Sequence, residues 1–185
     1  QLERWRDDWG IFSPDDIARM AEVELTSEFM LLIFNSILDK DAKTITAYYK
    51  KFDPVFDDGF EVARRFRATF DQIADSFDGK TIKKLFKRRA AFFALFASIY
   101  GLQYGLRASK PIDEIIPLQK RAKPTPLKSN IVQHMKTAGA VMAERTNLPD
   151  DVMAALRGAT SDVGPRKTVI RFLVGKENDP CRHLS

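Results

Sequence analysis

The sequence has few of the residues that most metal and nucleotide sites require. Its single cysteine, Cys181, excludes an internal disulfide and leaves too few thiols for a cysteine-based zinc site. The two histidines, His134 and His183, form no HExxH or HxH motif, and the chain has neither a glycine-rich phosphate loop nor a GxSxG motif. We therefore predict no metal or cofactor site in this chain, and the lone thiol is typical of a reducing, cytoplasmic compartment.

Long hydrophobic runs are also scarce. The uncharged run that comes nearest to membrane length extends from Ala90 to Leu106, and its 17 residues include Ser98 and Gln103. A membrane-spanning helix needs roughly 20 predominantly apolar residues. We therefore expect this run to form a buried core helix, and we predict no membrane partner.

Phenylalanine is abundant, with fourteen residues in a chain of 185 that is 44% hydrophobic and 30% charged. This composition indicates a packed interior rather than disorder. Between Lys80 and Leu106 the large apolar residues recur at the spacing of one helical face. They are Ile82, Leu85, Phe86, Phe92, Phe93, Phe96, Ile99 and Tyr100. The pattern predicts a central apolar helix at about 81–106 that neighbouring helices cover.

The remaining segments also favour helices. Ser13, Pro14 and Asp16 form a helix start signal, and the helix is expected to run to about Leu38. No segment alternates apolar and polar residues, so the predicted fold class is all-α, an irregular multi-helix bundle around the central helix. We expect one helical domain over 1–175, with a looser C-terminal subdomain from 129 as an alternative, and a frayed tail over 176–185.

Charge is distributed unevenly along the chain. Residues 1–79 hold 10 Lys or Arg against 17 Asp or Glu, whereas residues 80–185 hold 20 against 8. Two interpretations remain open. The acidic and basic halves attract one another within the fold, or the basic half faces an anionic partner such as nucleic acid.

Two basic clusters are the candidate nucleic-acid-binding residues. The first lies at the start of the predicted central helix, and the second lies near the C-terminus. The first comprises Lys83, Lys84, Lys87 and Arg88, and the second comprises Arg166, Lys167 and Arg171. Cations of this kind bind phosphates in a salt-sensitive, sequence-independent manner, so DNA is a predicted partner. The alternative is a solvated surface, or docking to the acidic half.

A third candidate is a group of carboxylates. Glu24 and Glu28 are four residues apart on one predicted helix and point the same way, and Glu22 precedes them. Such a group can bind a divalent ion or act as acid and base. We favour the simpler interpretation, an exposed acidic stripe beside Arg19.

Several segments carry a resemblance to a known family. They are RWRDDWGIFSPDDIARMAEVELTSEF near the N-terminus, EVARRFRATFDQIADSF and KRRAAFFALFASIYGL in the middle, and LRGATSDVGPRKTVIRFL near the end. Together they resemble the second, helical half of the family named after the N-terminal domain of GmrSD restriction endonucleases. The residues that match its motif segments, without a known role, are Arg19, Glu22, Glu24, Glu28, Arg157, Thr160, Asp162, Arg166 and Lys167.

The resemblance implies a bacterial, modification-dependent restriction or anti-phage defence protein. In that family a ParB- and sulfiredoxin-like half carries an Asp-Gly-Gln-Gln-Arg motif that handles nucleotide. This chain has no such motif, so no nucleotide-binding residue can be assigned to it. Nucleotide, divalent metal and DNA cleavage are therefore expected only of a parent protein, and because Gln1 falls inside a predicted helix we expect the chain to be part of one.

The resulting hypothesis is a non-catalytic helical domain that supports the nucleotide-handling half and contacts DNA through its basic helices. Its partners would be DNA, its own N-terminal half or another chain, with a homo-oligomer as a further option. The alternative is a protein–protein scaffold or dimerisation module that does not bind nucleic acid.

Overall fold

The computed structural model describes residues 3–39, 41–157 and 162–184. Within these ranges it contains nine α-helices and no strand, which confirms the all-α class. The helices are α1 (Pro14–Ala18), α2 (Ala21–Phe34), α3 (Ala42–Phe52), α4 (Gly59–Ser76), α5 (Gly79–Leu85), α6 (Arg89–Tyr104), α7 (Ser129–Glu144), α8 (Asp150–Arg157) and α9 (Val163–Val174). Single turns of other helix types occur at Arg4–Asp8, Ile112–Glu114 and Lys176–Asn178.

Helix α6 is the centre of the fold. It packs against α2 and α4 as well as against α9, and almost every side chain along it is buried. Phe92, Leu95 and Phe96 are fully inaccessible to solvent. The uncharged run therefore forms a core helix, as predicted, and none of the helices in the described ranges combines the length and apolarity needed to cross a membrane.

The predicted helix over 81–106 is divided in two. Phe86 ends α5 with its ring buried 5.8 Å from the ring of Phe77, and Arg88 adopts an extended conformation before α6 begins. Gly139 of α7 makes room for the Phe86 ring, because a methyl group on that glycine would lie 2.5 Å from Phe86 Cζ. The two helices have different neighbours, because α5 packs on α7 while α6 packs on α2, α4 and α9.

Aromatic rings from four segments meet beside α6. Trp5 stacks on Phe70 of α4 with ring centroids 5.0 Å apart, and Phe29 of α2 lies 4.1 Å from Phe96 by the same measure. Phe92 faces both Trp5 and Phe29. Aromatic pairs at these separations add to the stability that burial of their area provides. The N-terminal turn is thereby tied to α2, α4 and α6.

The N-terminal helix also has an internal boundary. Ser13 and Asp16 form the expected capping box, with Ser13 Oγ accepting from the Asp16 amide. The helix that was predicted to continue to Leu38 instead breaks at Met20, whose φ of 58° is left-handed, and α2 ends at Phe34. A left-handed residue cannot continue a right-handed helix, so α1 and α2 can point in different directions.

The C-terminal residues are packed, and the prediction of a frayed tail over 176–185 is wrong for the part that the structure describes. Cys181 and Leu184 are buried, and Pro180 sits against Gly101 of α6, where a side-chain carbon would lie 2.7 Å from Pro180 Cβ. Burial raises the pKa of the Cys181 thiol to about 12, so this cysteine stays protonated near neutral pH. The residues after 129 share the core cluster with the rest of the chain.

A buried ion network fastens the segment after α6 to α4. Glu61 accepts hydrogen bonds from Arg64 at 2.6 Å and from Arg65 at 2.8 Å. Arg65 also donates to the Gln119 carbonyl, and it lies within hydrogen-bonding distance of the Tyr100 hydroxyl. Side chains of α4 therefore hold the connector between α6 and α7.

This network predicts a specific acid sensitivity. The hydrogen bond from Arg64 lowers the pKa of Glu61 from 4.5 to about 2. Burial of the carboxyl acts in the opposite direction, and the hydrogen bond from Arg65 lowers the pKa further. A carboxyl whose pKa is lower in the folded than in the unfolded state stabilises the fold fully when the pH is above the unfolded-state pKa. This stabilisation is lost as the pH falls towards the folded-state pKa. We expect Glu61→Gln to lower stability at pH 7 and to lose less further stability than the wild type between pH about 5 and about 2.

Urea unfolding at a series of pH values measures this difference. Asp113→Asn is the matched control, because Asp113 is largely exposed and forms its ion pair with the exposed Lys51. Parallel pH profiles for Glu61→Gln and the wild type would contradict the assignment.

Candidate functional site

The first basic cluster lies where α5 passes into α6. Lys83, Lys84, Lys87 and Arg88, which we call the basic segment, are all exposed. The Lys83 stem runs along Gly10, since a side-chain carbon on that glycine would lie 3.3 Å from Lys83 Cε. Lys83 nevertheless remains exposed, as do the other three cations of the segment.

The basic segment keeps its charges available. Among the ion pairs of the described residues, none involves Lys83, Lys84, Lys87 or Arg88. The nearest acid in sequence, Asp78, caps α5 by accepting from the Thr81 amide at 2.8 Å. Arg89 is the next cation along the chain and lies 3.8 Å from Asp16. The interpretation that the acidic half neutralises the basic half does not apply to these four side chains.

The second basic cluster has a different role. Arg166 is 8% exposed, forms an ion pair with Glu28, donates to the Leu38 carbonyl and stacks over the ring of Phe93 at 4.1 Å. A guanidinium held on three sides inside the protein cannot reach a phosphate. The prediction that Arg166 contacts nucleic acid is therefore wrong.

Lys167 and Arg171 both bind the C-terminal residues. Lys167 Nζ donates to the Leu184 carbonyl, and Arg171 Nε donates to Asp179 at 2.7 Å. Asp179 also accepts from the Cys181 amide. These bonds explain why the tail is packed. Of the two predicted clusters, the basic segment is therefore the one whose cations are not engaged within the fold.

The residues that carry the family resemblance fall into three groups. Glu28 and Arg166 meet in the core although 138 positions separate them. Arg19, Glu24, Arg157 and Asp162 are exposed, and Glu22 and Lys167 are half-buried. Thr160 lies outside the described residues. The structure therefore brings the first motif and the ending together at one buried ion pair.

The carboxylate hypothesis is not supported. Glu28 is committed to Arg166, and the described residues contain no group of three or more acidic, histidine or cysteine side chains arranged to hold a metal ion. Glu24, one helical turn before Glu28, is exposed. The Glu24 and Glu28 pair therefore does not form an exposed acidic stripe either, because only one of the two reaches solvent.

A feature that sequence reasoning missed is an apolar groove between α2 and α3. The groove has a volume of about 500 Å³, and most of its lining is aliphatic or aromatic. Its apolar lining residues include Val23, Met30, Phe34, Tyr49, Phe52 and Phe56. Three of these, Val23, Tyr49 and Phe56, are also substantially exposed. A signal was present in the closely spaced aromatics of residues 48–56.

The polar groups of the groove are few and mostly satisfied. The Ser27 and Tyr49 hydroxyls share a hydrogen bond of 2.9 Å, and Thr26 donates to the Glu22 carbonyl. Glu22 Oε2 is the exception, because it is buried and has no hydrogen-bond partner within the described part of the chain. Asp53 is the other charged lining residue that the structure describes, so the charge of the groove is acidic.

Comparison of the chain with protein-family models, with curated proteins and with solved structures finds no match.

Proposed function

We propose that the chain is a non-catalytic helical domain of a GmrSD-like restriction or anti-phage defence protein that contacts DNA through the basic segment. The observation that carries the DNA contact is that Lys83, Lys84, Lys87 and Arg88 are exposed and form no ion pair with another described residue. The restriction role rests on the resemblance of the motif segments. Nucleotide handling and cleavage would belong to another part of the same protein, which this domain supports.

The chemistry of the basic segment suits a phosphate backbone. Four cations within six positions cannot all be satisfied by one small anion, whereas DNA presents a negative charge about every 1.7 Å along its axis. The segment also precedes the N-terminus of α6, where Arg88 makes no side-chain cap. The helix dipole adds attraction for an anion at that end.

A charge-reversal experiment tests the DNA contact. The triple variant Lys83→Glu, Lys84→Glu, Lys87→Glu is expected to weaken binding of a short DNA duplex at least about tenfold at low salt, because each phosphate that the lysines no longer neutralise keeps its counterions. The slope of log K against log salt should also become shallower, by about 0.9 for each such phosphate. Fluorescence anisotropy titrations at several salt concentrations measure both quantities.

The matched control reverses three exposed lysines elsewhere, Lys43, Lys50 and Lys176, so that the change in net charge is the same. If both triple variants lose affinity equally, binding reflects net charge rather than the basic segment. If the wild type does not bind DNA at low salt, the DNA part of the proposal is wrong.

The second candidate function is a protein–protein scaffold without DNA binding. The observation that favours it is the exposure of large apolar residues before α2, between α3 and α4, and in the first turn of α4, namely Met20, Val55 and Phe60. In the simplest form of such a scaffold, the basic segment forms ion pairs with acidic residues of another chain. Sedimentation velocity of the Lys83, Lys84, Lys87 reversal, together with the DNA titrations, then distinguishes the two functions. A scaffold would lose its assembly, whereas a DNA-binding domain would lose DNA affinity while its assembly stays unchanged.

A further inference from the structure

The groove between α2 and α3 has the properties of a site that holds part of another molecule. Its wall exposes Val23 and Tyr49 to solvent at 43% and 60%, values that are unusual for large apolar side chains standing together. An exposed apolar surface of this kind on a folded domain marks an interaction site. The question is which occupant its shape and charge select.

The length of the groove favours a helix. Its lining residues on α2 extend from Glu22 to Phe34, which is roughly 18 Å at 1.5 Å per residue. That distance matches about three turns of a second helix. Exposed apolar residues continue past the groove to Val55 and Met20, so a small ligand enclosed by the groove would leave much of the apolar surface uncovered. A helix laid along the groove covers more of it.

The charge of the groove selects the side chains of that helix. Glu22 Oε2 is buried without a hydrogen-bond donor, and a desolvated carboxylate oxygen without a partner is costly. Asp53 adds a second negative charge, and the faces of Tyr49 and Phe56 can accept a cation. A lysine or arginine beside Glu22 and Asp53 supplies the complementary positive charge.

We propose that the α2–α3 groove binds an amphipathic helix of a partner protein, with the apolar face of that helix against Val23, Phe34 and Phe56 and a lysine or arginine at Glu22. This site is separate from the basic segment and takes a ligand of opposite charge. It therefore stands whether or not the chain binds DNA. The domain would then bind a protein partner at the acidic, apolar α2–α3 groove and an anion at the basic segment.

Two matched peptides test the proposal. Each is a capped helical peptide of about 14 residues with leucines on one face, and the two differ only in carrying lysine or glutamate beside that face. In anisotropy titrations against the whole chain, the lysine peptide is expected to bind at least about tenfold more tightly than the glutamate peptide. The net charge of the chain is +5, so long-range attraction would favour the glutamate peptide, and a preference for lysine must come from the local site.

Point variants then locate the binding. Glu22→Gln should reduce the preference for lysine several-fold while leaving the glutamate peptide no weaker. Val23→Asp should weaken both peptides at least about tenfold, because it places a charge on the apolar wall. Phe60→Asp is the matched control, since Phe60 is 82% exposed and does not line the groove, and it should change neither affinity. Circular dichroism melts check that each variant is folded.

Other outcomes overturn the proposal. Equal affinity for the two peptides, or equal loss in Val23→Asp and Phe60→Asp, removes the groove as the site. If the chain alone sediments as a dimer that Val23→Asp dissociates, the occupant is a second copy. If dodecyltrimethylammonium binds with one-to-one stoichiometry while neither peptide displaces it, the groove is a site for small cationic amphiphiles.

Discussion

Replacing Phe29 with alanine is expected to lower the free energy of unfolding by about 3–5 kcal/mol. Phe29 is completely buried, and its ring faces Phe96 at 4.1 Å, Phe93 at 5.9 Å and Phe70 at 5.8 Å. Alanine leaves a cavity among residues of several segments that are held by one another, so the neighbouring rings cannot collapse to fill it. Urea unfolding followed by far-ultraviolet circular dichroism measures the loss, which should lower Tm by roughly 10 °C.

The matched control is Phe60→Ala. It removes the same atoms from a side chain that is 82% exposed, so we expect a change within about 0.5 kcal/mol. A loss for Phe29→Ala as small as that of the control would mean that the aromatic cluster is not the centre of the fold.

The burial of α6 could be predicted from the sequence because it follows from local composition. Seventeen consecutive residues without a charge, from Ala90 to Leu106, cannot form the surface of a folded domain. The capping box at Ser13 was predictable for the same reason, since both of its partners lie within four residues. Features that depend on one short segment leave their signal in that segment.

The break between α5 and α6 could not be predicted in this way. Phe86 fits the helical period of its neighbours, and its position is decided instead by Gly139 on α7, more than fifty residues later. A side chain that satisfies the local pattern can still be drawn out of the helix when a distant glycine offers a closer fit. Periodicity gives no information about that glycine.

The basic clusters illustrate how position in sequence differs from position in space. Lys83, Lys84 and Lys87 look like Arg166, Lys167 and Arg171 when they are counted as charges. In the fold the first three face solvent, while Arg166 is buried and the other two hold the tail. A cation that is available for a ligand differs from one with a structural role only in whether acidic side chains or carbonyls of the same fold bind it.

The acidic groove was missed for a related reason. Residues 48–56 show closely spaced aromatics, which ordinarily predict a helix packed against a core. Tyr48 does pack in this way, whereas Tyr49 and Phe56 line a surface that no described segment covers. Sequence patterns indicate that an apolar face will be covered, but not whether the cover comes from the same chain.

The buried ion pair between Glu28 and Arg166 gives the second large effect. Arg166→Met is expected to cost about 3–5 kcal/mol, because it leaves the buried carboxylate of Glu28 without the guanidinium and removes the donor to the Leu38 carbonyl. Urea unfolding at pH 7 measures the loss.

A double variant separates the cost of an isolated charge from the value of the pair itself. Because apolar residues of similar volume can often replace a buried ion pair at little cost, Glu28→Leu combined with Arg166→Met should regain most of the stability that Arg166→Met loses. Lys51→Met is the control for an exposed pair, with Lys51 Nζ 2.8 Å from Asp113, and should cost less than about 1 kcal/mol. If the double variant is no more stable than Arg166→Met, the guanidinium stabilises the fold through its stacking on Phe93 and its hydrogen bond to the Leu38 carbonyl. The contact between the two motif segments then depends on packing rather than on charge.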